Sequence, residues 1–360
     1  MKITKVAIVG TMGVPASYGG FETLAENLII NQPEFIDYTV FASSKHYKVK
    51  PANYLGAKIN YLPFNANGIQ SIIYDFISLI IASRSSHVIL LLGVSGAIAL
   101  PIFTFFFPKV KIITNIDGIE WKRKKWNKMA KIFLKLSEKF AIKNSHHIIT
   151  DNKGIEDYVK DNYDFKSETI AYGANEIIEP LILKNYKFLK IKKNEYAFKV
   201  ARIEPENNLE MILDAFIDVP LDIVIVGNWL SSAFGKKMFK NYSNYSNINL
   251  LNPIYDINLL NELRSNCKIY IHGHSAGGTN PSLVEAMALK LPVISFDVNF
   301  NRYTLKNNGI FFKSSDDLKL IIKNISDYDI DIIGSNNFNN FKTNYKWNVI
   351  VNKYVNLFLN

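Results

Sequence analysis

Residues 272–287 read His-Gly-His-Ser-Ala-Gly-Gly-Thr-Asn-Pro-Ser-Leu-Val-Glu-Ala-Met, and this stretch decides the fold. The residues just before it, 268–271, are typical of a short buried strand. Pro281 begins a helix, because Pro is favoured in a first turn and apolar residues follow it at helical spacing. The stretch therefore predicts a strand, a loop of small residues and a helix N-terminus, where backbone N–H groups and the helix dipole favour an anionic ligand.

Glu285 lies one turn inside this helix, where its carboxylate could accept hydrogen bonds from hydroxyl groups such as a ribose diol. The alternative interpretation is a glycine-rich turn between a strand and a helix, with Glu285 merely solvated. Other parts of the chain bear on this choice.

The length and charge of the chain limit what it can be. Its 360 residues are too many for one average domain and predict two. The net charge is +10, and much of it lies between Lys122 and Lys143, where nine Lys and Arg accompany a single acid, Glu138. The only cysteine, Cys267, excludes an intramolecular disulfide and any cysteine-built zinc site, which fits a reducing cytosol.

One uncharged segment raises the question of a membrane span. Residues 88–108 contain no charged side chain and are long enough to cross a bilayer. Gly93, Gly96 and Pro101 interrupt the segment, so we predict a buried strand, a loop and a helix instead. The N-terminus is predicted to be a first strand over residues 5–10, not a signal peptide.

The loop after the first strand is rich in glycine. Gly10 and Gly13 do not have the G-x-G-x-x-G spacing, and the second strand, near residues 38–41, is not followed by an acid that could bind ribose. We therefore expect no nicotinamide or flavin cofactor. Gly19 and Gly20 instead begin a helix over residues 21–30, so backbone N–H groups again point towards a crevice.

Strand-like and helix-like stretches then alternate, which predicts a parallel sheet covered on both faces. Asp117 and Glu120 follow the strand at residues 110–114, at the carboxyl edge where open α/β sheets bind ligands. They are candidates for an acid/base or a hydroxyl-binding group. The alternative for Asp117 is an Asx turn that caps the next helix.

The basic segment is predicted to be a helix over residues 121–144. Apolar residues recur along one side, namely Trp126, Met129, Phe133, Leu136 and Phe140, and lysines share another, namely Lys124, Lys128, Lys131 and Lys135. Such a helix can lie on an anionic membrane surface. The alternative is a core helix with a solvated lysine face. Nucleic acid is not expected as a partner, since no nucleic-acid-binding motif accompanies the charge.

The periodicity lapses between residues 174 and 194, so a domain boundary is predicted there. We expect an N-terminal Rossmann-like domain over residues 1–175 and a second α/β domain over residues 176–344. The last segment, 345–360, is amphipathic and is predicted to pack back on the first domain.

The second half resembles the donor domain of retaining nucleotide-sugar glycosyltransferases of family 4, which have the GT-B fold of two Rossmann-like domains facing across a cleft. Members carry an Arg, which Arg202 matches, and about five residues later a Lys, where this chain has Asn207. They also carry two Glu separated by seven residues. Glu285 matches the second, the ribose contact, and Gly277 stands in place of the first.

Four motifs in order look like one subgroup, the bacterial rhamnosyltransferases of surface-polysaccharide assembly, which use dTDP-L-rhamnose. The first motif is Gly-Thr-x-Gly-x-Pro-x-x-Tyr-Gly-Gly-Phe-Glu-Thr, in which this chain has Met12 where Arg is frequent. The second is Asp-Gly-x-Glu-Trp-x-Arg, and the third is Arg-x-Glu-x-Glu-Asn-Asn. The fourth is His-Ser-x-Gly-Gly-Thr-Asn-Pro-Ser-Leu-x-Glu-Ala-Met.

The resemblance implies sugar transfer to a lipid-linked oligosaccharide without metal or cofactor, by a cytoplasmic protein that can lie peripherally on the inner face of the cytoplasmic membrane. It implies a catalytic role for Asp117 and Glu120. The implied donor-binding residues are Gly19, Gly20, Arg202, Asn207, Asn208, His274, Gly277, Gly278, Thr279, Asn280, Ser282, Leu283 and Glu285. The alternatives are a UDP- or GDP-sugar donor, a sugar-nucleotide epimerase, and a non-catalytic membrane-associated scaffold.

Overall fold

The structure is a computed structural model that describes residues 3–17, 19–68, 70–123, 126–175 and 191–360. The chain divides into two compact units. The first unit comprises residues 1–173 and 347–360, and the second unit comprises residues 174–346. Each contains its own mostly parallel sheet with helices packed on it, so the predicted α/β class is confirmed. Residues 176–190, with which the predicted second domain begins, lie outside the described residues.

The first unit is built on an eight-stranded sheet in the order β3-β4-β2-β1-β5-β6-β7-β8, in which only the β3–β4 pair is antiparallel. The central strands β1 and β5 are runs of buried aliphatic residues, as expected for parallel strands that are covered on both faces. The strands are β1 Thr4–Val9, β2 Ile36–Ser43, β3 Asn53–Tyr54, β4 Ala57–Leu62, β5 Val88–Leu92, β6 Lys111–Ile116, β7 His147–Thr150 and β8 Glu168–Thr169; the helices are α1 Gly20–Ile30, α2 Gln70–Ser83, α3 Leu100–Phe106, α4 Lys128–Asn144 and α5 Lys153–Tyr163.

The C-terminal helix, Trp347–Leu359, belongs to the first unit. Its buried face shares one hydrophobic core with β1. Two polar contacts fasten it to β6: the Asn115 Nδ2 donates to the Tyr354 hydroxyl at 2.5 Å, and the Lys111 Nζ donates to the Leu357 carbonyl at 2.7 Å. The chain therefore returns to its first sheet after completing the second.

The uncharged segment at residues 88–108 forms the strand, loop and helix that the sequence predicts. β5 ends at Leu92, a short 3-10 helix covers Ser95–Ala99, and α3 follows directly. None of the described helices is both long enough and apolar enough to cross a bilayer.

The predicted helix over residues 121–144 is wrong at its start. Glu120–Lys122 form a short 3-10 helix, and α4 begins only at Lys128, because the Asn127 side chain caps it by accepting from the Ala130 N–H at 2.9 Å. Lys124, part of the predicted lysine face, lies outside the described residues. The buried side of α4 is also not the predicted apolar stripe: it consists of Leu134, Ser137, Glu138, Ala141 and Ile142.

The second unit is built on a six-stranded, fully parallel sheet in the order β11-β10-β9-β12-β13-β14. Its central strands β9 and β12 are neighbours, so the loops that follow them lie at the same carboxyl edge. The strands are β9 Tyr196–Val200, β10 Asp222–Val226, β11 Ile248–Leu251, β12 Ile269–His272, β13 Val293–Phe296 and β14 Ile310–Phe312; the helices are α6 Leu209–Phe216, α7 Ala233–Tyr242, α8 Ile257–Ser265, α9 Pro281–Ala288, α10 Asn299–Leu305, α11 Ser315–Lys323 and α12 Ile330–Asn344.

Candidate functional site

The loop between β12 and α9, together with the start of α9, carries most of the predicted donor-binding residues. Asn280 caps α9: its Oδ1 accepts from the Ser282 N–H at 3.0 Å and from the Ser282 hydroxyl at 2.6 Å. The N–H groups of Leu283 and Val284 donate to the Asn280 carbonyl at 3.0 and 3.2 Å. The N–H groups of the first helical turn are therefore already used, and the side chain of Leu283 is buried.

Two N–H groups that can still donate lie earlier in the loop, at Gly277 and Gly278. Neither N–H donates to another residue in the part of the chain that the structure describes. Gly277 has a φ of +110°, in the left-handed region that favours glycine. Apart from its chain neighbours, no described residue has an atom within 4 Å of where a Cβ would stand. This backbone would disfavour the Glu that related sequences carry here. Thr279, next in the loop, is buried.

The loop between β9 and α6 contains Arg202, whose side chain is half-exposed and whose Nη1 lies 3.9 Å from Glu204 Oε1. Asn207, which stands in place of the Lys of the related family, is buried, and its Nδ2 donates to the Arg202 carbonyl at 2.6 Å. Asn208 donates from Nδ2 to the Gly273 carbonyl at 2.9 Å. The two asparagines therefore hold loops together, and Arg202 alone of the three presents a charge.

Glu285 is paired with a residue that the sequence analysis did not identify. Arg264, in the last turn of α8, donates from Nη2 to Glu285 Oε2 at 2.7 Å. The Arg264 side chain is 1% exposed and that of Glu285 is 38% exposed, so the carboxylate has a buried partner and an accessible side. No pattern in the sequence indicates that Arg264 and Glu285 form a pair, since a charged residue near a helix end is common.

Lys199 is a second functional candidate that the sequence analysis missed. Its side chain is fully buried in β9, and its Nζ has no hydrogen-bond partner among the described residues. Burial lowers the pKa of this amine from 10.5 to about 7. The signal was available, because Lys199 is the only charged residue of the strand Tyr196–Val200.

His272, at the end of β12, lies close enough to this amine to respond to its charge, and His274 follows two residues later. Their rings stack with centroids 4.7 Å apart and planes inclined by 10°. Burial, and then the nearby charge of Lys199, lower the pKa of the His272 imidazole well below its usual range. The carbonyl of His274 accepts from Asn301 Nδ2 at 2.9 Å, so this residue also anchors the loop to α10.

In the first unit, Gly19 and Gly20 make room for two neighbouring side chains. A Cβ on Gly19 would collide with the Glu22 carboxylate, and a Cβ on Gly20 would lie 2.8 Å from the Tyr172 hydroxyl oxygen. The Glu22 carboxylate accepts from the Met12 N–H at 3.1 Å. The glycine pair therefore allows Glu22 to fold back and hold the first loop.

Asp117 and Glu120 differ in their surroundings. Asp117 follows β6, is half-buried, and its charge contributes to the raised pKa of Tyr172, which burial dominates. Glu120 is engaged on both oxygens: Oε1 accepts from Arg123 Nη1 at 2.8 Å and Oε2 accepts from Trp126 Nε1 at 3.2 Å. These bonds give Glu120 a clear role in holding the segment before α4.

The sequence profiles of two families match the chain. Residues 3–175 match a domain of unknown function (DUF1972), and residues 184–331 match the glycosyl transferases group 1 family. The second unit is a glycosyltransferase group 1 domain. No curated protein sequence matches the chain.

Solved structures of GT-B glycosyltransferases have the same fold as this chain. Sucrose-phosphate synthase from Thermosynechococcus elongatus superposes with a TM-score of 0.76 at 14% identity, covering 99% of this chain and 98% of that one. HepE from Anabaena, in complex with UDP, gives 0.76 at 14% identity, covering 99% of both chains. The catalytic domain of starch synthase IV from Arabidopsis thaliana, bound to ADP and acarbose, gives a TM-score of 0.71 at 12% identity, covering 100% of this chain and 99% of that one. The predicted GT-B fold is confirmed.

Proposed function

We propose that this glycosyltransferase retains anomeric configuration and transfers L-rhamnose from dTDP-L-rhamnose to a lipid-linked oligosaccharide in surface-polysaccharide assembly, on the cytoplasmic side of the membrane. The observation that carries the proposal lies in the second unit. There a group 1 domain presents Arg202, the amides of Gly277 and Gly278, and the accessible side of Glu285 on loops and a helix at one sheet edge.

The chemistry follows from the charge that develops on the leaving group. Cleavage of the sugar–phosphate bond leaves negative charge on the diphosphate, which the Arg202 guanidinium and backbone amides stabilise by charge-assisted hydrogen bonds. Glu285 accepts hydrogen bonds from the ribose of the donor. Asp117 serves at the acceptor hydroxyl or the reacting carbon. With these groups in place we expect no requirement for a metal ion.

The nucleotide sugar that serves as donor can be identified by a direct experiment. The four sequence motifs favour dTDP-L-rhamnose, whereas the bound UDP of HepE makes a UDP-sugar the nearest rival and a GDP-sugar the next. A screen of dTDP-, UDP- and GDP-sugars, with released nucleotide as the readout, should show release from dTDP-rhamnose in the presence of a lipid-linked acceptor. Conversion of the free nucleotide sugar to an isomer would indicate an epimerase, and failure to bind any nucleotide would indicate a scaffold.

Arg202→Ala is expected to weaken binding of dTDP by about ten- to one-hundred-fold, because a hydrogen bond to a charged group contributes about 1.5–3 kcal/mol. Isothermal titration calorimetry measures this directly. Arg84→Ala removes another exposed arginine, from the end of α2 in the first unit, and should leave the affinity unchanged. Equal affinities for the two variants would rule out Arg202 as a diphosphate ligand.

We also propose that the first unit binds an anionic membrane surface through helices α3 and α4. The two helices pack against each other, and each leaves a row of large apolar side chains in solvent, with exposed fractions between 42% and 79%. We call this the α3–α4 surface: Ile102, Phe105, Phe106, Met129, Ile132 and Leu136. Part of the predicted apolar stripe of α4, at Met129 and Leu136, thus faces solvent instead of the core.

The charges on α4 favour lipid over another protein copy. Its lysines, all exposed except the half-buried Lys131, are Lys128, Lys131, Lys135, Lys139 and Lys143. The one acid of this helix, Glu138, is buried and accepts from the hydroxyls of Tyr158 and Tyr163 at 2.7 and 2.6 Å. A second copy would bring lysines against lysines, whereas anionic headgroups would neutralise them.

The double variant Phe105→Ser with Phe106→Ser is expected to reduce binding to phosphatidylglycerol vesicles by more than tenfold, because burying each phenylalanine contributes about 1.5–3 kcal/mol. Lys135→Ala should cost only about fivefold and make binding less sensitive to salt. Val49→Ser is the control, since Val49 is 79% exposed but lies outside α3 and α4. Sedimentation that is equal for the control and the double variant would refute the α3–α4 surface as the lipid contact.

A further inference from the structure

Lys199 is a buried amine that the fold does not explain. The other residues of β9 are apolar, and an isolated amine in such a place is unfavourable unless another group compensates for it. Among the described residues no hydrogen-bond acceptor contacts its Nζ. The charge of Lys199 also disfavours protonation of His272 on the neighbouring strand β12. A ligand would supply the missing negative charge.

The amine lies beneath the point where the two loops of the donor site join. A Cβ placed on Gly273 would come within 3.1 Å of the Lys199 Nζ and would collide with the carbonyl of Asn207. Asn208 Nδ2 closes the same junction by donating to the Gly273 carbonyl at 2.9 Å. The amine therefore lies close to the backbone of Gly273, the residue with which the loop after β12 begins.

The same junction includes Asn207, which stands where the related family has a lysine. The chain lacks a lysine side chain there, and the Asn207 amide is turned inward to the Arg202 carbonyl. The Asn207 carbonyl and the Lys199 Nζ lie near the same point, where a Cβ on Gly273 would stand. An amine that can take up a positive charge thus lies at this junction, in the core instead of on the surface.

We propose that Lys199 positions the donor diphosphate by its charge, from beneath the Gly273 backbone, and that it takes up a proton from solvent when the diphosphate binds. The inference rests on the proposed function, since it assumes a nucleotide diphosphate on this loop. The free amine has a pKa of about 7 because of burial, so near neutral pH it is only partly charged. A bound anion favours the charged form, which requires that protons be taken up.

Calorimetric titration of the full chain with dTDP at pH 7.5, in phosphate and in Tris buffer, measures this uptake, since the two buffers differ in ionisation enthalpy. We expect wild type to take up about half a proton more per site than Lys199→Met, because an amine of pKa near 7 is mostly neutral at this pH. The protonation of dTDP itself is common to both proteins and cancels. The affinity of Lys199→Met for dTDP should fall about tenfold, and its affinity for thymidine should not change.

Lys199→Leu repeats the test with a second apolar side chain, and thermal melting checks that both variants fold. Equal proton uptake and equal dTDP affinity in wild type and variants would overturn the role of Lys199 and leave the proposed function standing. Equal losses for thymidine and dTDP would show a merely structural effect and would also overturn it. If wild type binds no nucleoside diphosphate, the proposed function itself fails.

Discussion

Glu285→Ala is expected to lower the free energy of unfolding by about 2–4 kcal/mol and to weaken dTDP binding strongly. Removing one partner of a buried ion pair leaves the other charge buried and uncompensated, which costs about 3–5 kcal/mol when both partners are buried. Arg264 is the buried partner here, and the partial exposure of Glu285 reduces the cost. Urea denaturation measures the stability, and calorimetry measures the binding.

Two further variants separate the structural role of Glu285 from its role in binding. Glu285→Gln retains an oxygen that can accept from Arg264 but removes the negative charge, so only part of the stability should remain while dTDP binding weakens. The double variant Arg264→Leu with Glu285→Ala removes both charges and should recover stability without recovering dTDP binding. If Glu285→Ala unfolds at the same urea concentration as wild type, the ion pair contributes nothing and this account of Arg264 is wrong.

Lys199→Met is expected to be more stable than wild type below pH 7 by a few kcal/mol, with a difference that shrinks as the pH rises. The pKa of the amine is lowered by burial from 10.5 in the unfolded chain to about 7 in the folded protein. Between about pH 7 and pH 10.5 the unfolded state binds more protons than the folded state, so the stability of wild type rises with pH. The free-energy cost of burying the charged amine is present in full below about pH 7 and disappears by about pH 10.5. The Lys199→Met variant has no such cost at any pH.

Urea unfolding of both proteins between pH 6 and pH 9 tests this difference. Ionisation of other groups, including the buried tyrosines, affects both proteins alike, so only the difference between the two curves is informative. Curves that run parallel over the whole range would mean that the amine does not titrate near neutral pH in the folded state. A gain in stability together with lost dTDP affinity would show that wild type retains an unfavourable lysine because the site requires it.

The sequence predicted the α/β class and the main strands because buried parallel strands are continuous apolar runs. Val88–Leu92 is one such run, and its strand has the predicted bounds. Glycine and proline marked the loop and the α9 helix start at Pro281 for equally local reasons. Motif order further predicted the GT-B fold, which the solved structures share.

The start and the buried side of α4 were not predictable in this way. A lysine-rich stretch with apolar residues at helical spacing is compatible with a helix from residue 121 or from Lys128, and Asn127 decides between them only when its side chain caps the helix. Small residues, Ser137 and Ala141, face the interior because α4 lies closely against the 3-10 helix Ser95–Ala99. The sequence pattern could not show that neighbour.

By itself the sequence determined the order of strands and helices, the glycine loops and the charges available to the site, since these depend on residues close together in the chain. Only the tertiary structure decided which charges meet. Arg264 of α8 pairs with Glu285 of α9, and Lys199 of β9 lies near Gly273, which follows the neighbouring strand β12. Whether a charge is compensated depends on burial and distance, which no local pattern contains.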